Sequence, residues 1–281
     1  MRGMTIQFRE LSTITSGFPV TDGDGVKLTR IIGTPELNML DPFLLLDAFE
    51  SDQAQDYLGG FPDHPHRGFE TVTYLLAGRM RHKDSAGHEG VIEAGGVQWM
   101  TAGKGIIHSE MPEQEDGLLQ GFQLWVNLPA SEKMRPPVYQ EFPSNKIAVE
   151  YLDNGGEVRV IAGSTDNGTT GPVVNRFVNP IFLDISLPEG KVFEQTVSID
   201  NNGFIFVISG EVSVGHSMQK ISHHQMGVLT GGERVVVKAQ KETRFLLVAA
   251  QPLNEPVARG GPFVMNTRAE VLQAFEDFRG L

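Results

Sequence analysis

Two short patterns, His64-Pro65-His66 and His108-Ser109-Glu110, hold the residues of this chain best suited to chemistry. Successive side chains of a β-strand alternate between its faces, so residues i and i+2 share one face. Two such pairs on strands lining a small barrel bring three imidazoles and one carboxylate to a point, and that is a metal site. Nitrogen and oxygen donors without thiolate suit Fe, Mn, Ni, Co or Cu, and Zn²⁺ binds them without redox chemistry. Four protein donors leave about two positions open on a six-coordinate ion, enough for water, dioxygen or a chelating substrate. A lone H-x-H is a weak signal. The second pair, placed after the turns that Gly103 and Gly105 allow, makes it a strong one.

The elements that must position these residues read as short strands. Residues 71–76, 121–128, 158–162, 181–187, 204–208, 212–214, 234–238 and 244–250 are rich in β-branched and aromatic side chains, and most end near Gly or Pro. Within 121–128, Phe122, Leu124, Val126 and Leu128 alternate with Gln123, Trp125 and Asn127. Strand parity carried through His64 and His66 places Gly68 and Glu70 on the same face, with Asp63 and Arg67 facing away. Glu70 is therefore a candidate for steadying an imidazole or taking a proton. His82 and His88 read as solvated residues of a polar loop. Trp99, Trp125, Met100 and Met111 read as core residues that could also line a pocket.

An internal echo points to two copies of one domain. Residues 70–80, with Gly78, resemble residues 202–212, with Gly210. The Pro-rich stretch 131–144 reads as the linker. The expected division is 1–140 for a metal-binding domain and 141–281 for a second domain. Counted back from Gly210, the positions echoing His64 and His66 are Thr196 and Ser198, and His108 maps to Gln240, so the second domain is expected to lack ligands. His223 and His224 are adjacent, would point apart on a strand, and read as surface or turn histidines. Thr267 and Glu270 form a capping box for a closing helix with Val271, Phe275 and Phe278 along one stripe.

Composition narrows the function classes. The net charge of −12 disfavours direct nucleic-acid binding, which needs a basic surface. The absence of cysteine excludes disulfides, thiolate metal sites and a thiol nucleophile. The apolar runs are too short for a membrane helix, and residues 1–30 show no signal-like pattern, so a cytoplasmic location is expected. The glycines around Lys104 do not have phosphate-loop spacing, and no G-x-S-x-G elbow is present.

The stretches Gly-Gly-Phe-Pro-Asp-His-Pro-His-Arg-Gly-Phe-Glu-Thr-Val (59–72), Gln-Trp-Met-Thr-Ala-Gly-Lys-Gly-Ile-Ile-His-Ser-Glu-Met-Pro (98–112), Leu-Trp-Val-Asn-Leu (124–128) and Gly-Pro-Phe-Val-Met-Asn-Thr (261–267) resemble the pirin family. The likeness runs from about residue 40 onward and thins between 140 and 250. It implies an all-β chain of two tandem cupin (jelly-roll) barrels with a short C-terminal helix. It also implies one divalent transition metal, expected to be Fe(II), held by His64, His66, His108 and Glu110. In other cupins the glutamate of the first motif is a ligand; the pirin pattern gives that role to Glu110 and moves Glu70 out of it. The activity implied is that of a quercetin 2,3-dioxygenase, which opens a flavonol-like aromatic substrate with O₂ and releases carbon monoxide, with Glu110 or Glu70 as base. The rival implication is a non-enzymatic iron-containing regulator that binds a protein partner according to redox state.

Overall fold

The computed structural model describes residues 6–279. In chain order the strands are β1 (Leu11–Thr15), β2 (Phe18–Asp22), β3 (Val26–Ile32), β4 (Phe43–Ser51), β5 (Phe61–His66), β6 (Phe69–Ala77), β7 (Arg79–Asp84), β8 (Glu89–Glu93), β9 (Val97–Thr101), β10 (Ile106–Pro112), β11 (Leu119–Asn127) and β12 (Val138–Phe142). They continue with β13 (Ala148–Tyr151), β14 (Glu157–Ala162), β15 (Ile181–Leu187), β16 (Val192–Thr196), β17 (Asn202–Ser209), β18 (Glu211–Val214), β19 (Gln219–Ser222), β20 (Met226–Leu229), β21 (Arg234–Ala239), β22 (Thr243–Ala250), β23 (Ala258–Gly260) and β24 (Phe263–Met265). Helix α1 (Arg268–Asp277) follows, opened by the Thr267–Glu270 capping box. No helix among the described residues is long and apolar enough to cross a membrane.

The chain forms two compact units. The first contains a seven-stranded sheet, β12-β9-β6-β11-β4-β3-β2, and a four-stranded sheet, β5-β10-β7-β8. The second contains β1-β20-β17-β22-β15-β14-β13 and β16-β21-β18-β19. Each is a two-sheet jelly roll, built from strands whose alternate residues face an interior. The echo around Gly78 and Gly210 is the same hairpin in each: β6 turns into β7 at Gly78 (φ 85°), and β17 into β18 at Gly210 (φ 82°). Both turns need a left-handed residue, which glycine supplies at little cost.

A single cut near residue 140 does not describe this division. The first unit is Phe18–Asn145 with the chain from Leu253 onward; the second is the chain through Gly17 with Lys146–Pro252. Strand β1 pairs with β20 in the second unit, and the stretch read as a linker contains β12, paired with β9 in the first. Edge strands take their partners from distant sequence, and a Pro-rich composition does not reveal that pairing.

The two interiors are filled differently. In the second unit, Val158, Leu183, Ile185, Phe193, Val212, Val214, Val235, Val237 and Leu247 belong to one buried apolar cluster. In the first, a smaller cluster of Val26, Leu28, Phe49, Leu75, Met80 and Ile92 occupies part of the interior.

Candidate metal centre

Strands β5 and β10 run antiparallel with His108 opposite His64 and Ile106 opposite His66. The register shifts between His108 and Glu110, and on its other edge β10 places Glu110 opposite His82 of β7. The ring centroids of His64 and His108 lie 4.3 Å apart, those of His64 and His66 4.7 Å, and those of His66 and His108 4.9 Å. One nitrogen from each of these three histidines lies within 4.8 Å of the others. His82, His108 and Glu110 form a second group on the same criterion. The four residues expected to converge are thus spread over two groups that share His108.

The protonation pattern follows from the hydrogen bonds. Nδ1 of His64 donates to the carbonyl of Pro62 at 2.8 Å, and Nδ1 of His66 to the carbonyl of Pro262 at 3.3 Å. A neutral imidazole carries one N–H, so each Nε2 presents a lone pair. Those two Nε2 atoms face each other at 3.1 Å. Burial, then the neighbouring His64, holds the His66 pKa down at about 3, so a proton is a poor occupant of the gap. His108 is fully buried, neither ring nitrogen has a hydrogen-bond partner, and burial followed by His66 and His64 holds its pKa well below the usual range. Converging, unprotonated, buried lone pairs fit a cation, and imidazole with carboxylate is a donor set for a transition ion.

Glu110 is oriented by two side chains. Its Oε1 lies 2.8 Å from the hydroxyl of Thr73 on β6, and its Oε2 accepts from Nε2 of Gln123 on β11 at 2.8 Å. Glu70 is not in either group. Gly68 adopts φ 88°, its carbonyl accepts from Lys133 Nζ at 2.7 Å, and its N–H donates to the carbonyl of Gly103 at 2.8 Å. A Cβ at Gly68 would lie 1.9 Å from the carbonyl oxygen of Val264. This locked corner separates β5 from β6 and breaks the parity on which the Glu70 expectation rested. On β6, Glu70 projects opposite to Thr73 by alternation, and its carboxylate accepts from Thr101 at 2.7 Å.

His82, read as solvated, is fully buried on β7 and belongs to the second donor group. A polar, glycine-containing sequence hid a strand whose alternate residues Met80, His82 and Asp84 point inward. His88 is half exposed and its Nδ1 lies 3.0 Å from Asp84. Arg67 is buried, donates to the carbonyl of Lys104 at 2.6 Å and to Asp277 of α1 at 2.7 Å, and so ties the helix to the centre's strand. Trp99 and Met100 are core residues, whereas Trp125 lies 5.2 Å from His66, ring to ring. In the second barrel the buried positions of β16 and β21, the strands matching β5 and β10 in sheet order, are Phe193, Gln195, Val235, Val237 and Ala239. Thr196 and Ser198 are not those positions, because the loop between β16 and β17 is longer than that between β5 and β6, and Gln240 falls just past the end of β21.

A cavity of about 690 Å³ opens beside the cluster, with His64, His66 and Glu110 on one wall and Leu28, Leu45, Phe49, Phe61, Met80 and Trp125 among its apolar lining. Its polar wall is self-paired: Arg30 donates to Asp47 through Nε (2.9 Å) and Nη2 (2.7 Å), and from Nη2 also to Asp22 (2.8 Å).

Comparison with known proteins adds an independent observation. The family model described as Pirin matches residues 25–126, and that described as Pirin C-terminal cupin domain matches 182–281. A Pirin-like protein of Caulobacter vibrioides is 55% identical over 96% of this chain and 98% of its own length. Human Pirin is 47% identical over 92% of this chain and 88% of its own. The crystal structure of a quercetin 2,3-dioxygenase from Acinetobacter baumannii superposes with a TM-score of 0.87 at 34% identity, covering 96% of both chains.

Proposed function

The chain belongs to the pirin family, with two cupin domains, and from that premise we propose that it is a metal-dependent dioxygenase of the quercetin 2,3-dioxygenase type. The observation that carries this reading is the cavity of about 690 Å³, which sets a mixed polar and apolar lining beside the histidine cluster. That volume lies in the range of small-molecule sites, ~300–1,000 Å³. The likeness to the Acinetobacter enzyme supports the same reading.

His64, His66, His108 and Glu110 would hold one divalent transition ion, iron being the expected one. Bound there, the ion supplies Lewis acidity that favours the ionised form of a coordinated hydroxyl, and a redox-active ion also supplies an electron relay to O₂. The chain does the rest. Trp125, Phe61, Phe49 and Leu28 pack against a flat aromatic substrate and exclude water. Glu110, steadied by Thr73 and Gln123, takes the proton of the flavonol 3-hydroxyl. Arg30 is held by Asp47 and Asp22. Dioxygen then adds to the flavonolate, the central ring opens, and carbon monoxide leaves.

The test is quercetin consumption and carbon monoxide release by protein loaded in turn with Fe, Mn, Ni, Co and Cu. We expect turnover with at least one ion and none after His64→Ala or His108→Ala. Turnover that survives those substitutions, or its absence with every ion, refutes the assignment.

A further inference from the structure

We propose that the first barrel holds a second cation position, formed by His82, His108 and Glu110, beside the one formed by His64, His66 and His108. It rests on reading this interior as a metal centre and is independent of the dioxygenase reaction. His82 is fully buried, and neither of its ring nitrogens has a hydrogen-bond partner. Its nearest carboxylate oxygen, Asp84 Oδ2, lies 3.6 Å from Nε2, beyond hydrogen-bond reach. Asp84 is already engaged by the backbone N–H groups of Ala86 (2.8 Å) and His88 (3.0 Å) and by the His88 ring (3.0 Å). A buried imidazole left without hydrogen-bond partners is unfavourable. The backbone nonetheless holds His82 directly across from Glu110, and the donor atoms of His82, His108 and Glu110 lie within 4.8 Å of one another. A cation satisfies all three at once.

The donor chemistry selects the class of ligand. Two neutral imidazoles and a carboxylate suit a divalent ion such as Zn, Co, Ni or Fe. His108 is common to both groups, and a neutral imidazole has a single lone pair, so it serves one position at a time. The two positions are therefore alternatives for one ion. His64 and His66 line the cavity, whereas of the inner donors only Glu110 does, so an ion at the inner position is less open to a guest. The inner position stores the ion; the outer one presents it.

The experiment uses Co(II) as probe, with metal analysis and visible absorption on the full chain. In the His64→Ala/His66→Ala variant the inner donors remain, and we expect close to one cobalt per chain. Adding His82→Ala to that variant is expected to abolish binding. A double variant that binds no cobalt while the wild type binds one overturns the inner position alone. Retention of cobalt by the triple variant overturns it too. A wild type that binds no cobalt overturns the metal-centre reading as well. Should the double variant fail to fold, the Cu(II) electron paramagnetic resonance spectra of wild type and His82→Ala decide. We expect a second copper species in the wild type that His82→Ala lacks; identical spectra refute the proposal.

Discussion

The two barrels have the same strand order in both sheets, yet one interior gathers candidate metal donors and the other is an apolar core. Strands β5 and β10 bring imidazoles and a carboxylate inward; their counterparts β16 and β21 bury Phe193, Val235, Val237 and Ala239. The fold tolerates both because alternation and turn glycines fix the sheets, while the inward residues of two strands decide what the enclosed space does. The apolar barrel gains from every buried methylene. The polar one keeps His82 and His108 buried without hydrogen bonds, a cost that a bound ligand would relieve.

A matched exchange puts most strain on this contrast. His108→Val should weaken ion binding by more than about 100-fold, beyond the loss typical of an outer partner. It should leave the ion-free protein as stable as before or more so, since an unpartnered buried imidazole is removed. Val237→His makes the opposite change in the second barrel. It should cost about 2–5 kcal/mol from added bulk and an unpaired polar ring, and should create no site. Denaturant unfolding and metal analysis check both. A Val237→His protein of undiminished stability would show that the second interior is not the packed core described here.

A smaller effect sharpens the contrast. An ion at about 100 times its dissociation constant stabilises the state that binds it by about 2.7 kcal/mol. Native-state hydrogen exchange should show added protection on the amides of β5 and β10 when the ion is supplied, and none on those of β16 and β21. Equal protection in both barrels would mean that the ion is not specific to the histidine cluster.

How much of this was legible from residue order depends on the physics involved. The eight runs of β-branched and aromatic residues correspond to β6, β11, β14, β15, β17, β18, β21 and β22, because local alternation is written in adjacent residues. The cluster of His64, His66 and His108 was legible for the same reason: both patterns obey parity within one strand. Parity failed for Glu70 because Gly68 turns the chain at a corner fixed by Val264 and Lys133, partners remote in sequence. His82 was missed because Arg81, Lys83 and Asp84 give its strand a polar composition. The alternation Met80, His82, Asp84 was the available signal, since charged residues between them mark an exposed face. The exchange of terminal segments between the units left no trace in composition, as β1 is an edge strand whose pairing with β20 is long-range.

The smallest predicted effect concerns one buried cation in each unit. Lys133 is 1% exposed and donates to the carbonyls of Gly68 and Val264 and to Asn127, while Arg9 is fully buried and donates to the carbonyls of Ser198, Thr230 and Gly232. Burial lowers both pKa values, but only the lysine is brought into an accessible range, at about 8 against an ordinary 10.5. Below the folded value both states of Lys133 are protonated and the cost of burying its charge is fully present. Between the two values the unfolded chain binds more protons than the folded one, so stability rises with pH. Relative to Lys133→Met, the wild type should therefore gain about 2 kcal/mol as the pH is raised by about 1.5 units above the folded value. The same comparison with Arg9→Met should stay flat, because a guanidinium keeps its proton throughout. Subtracting the two series cancels every other titrating group. A flat lysine series would mean that the Lys133 ammonium is as well solvated by its three oxygen acceptors as by water; a sloping arginine series would mean that the slope belongs to the fold at large and not to these cations.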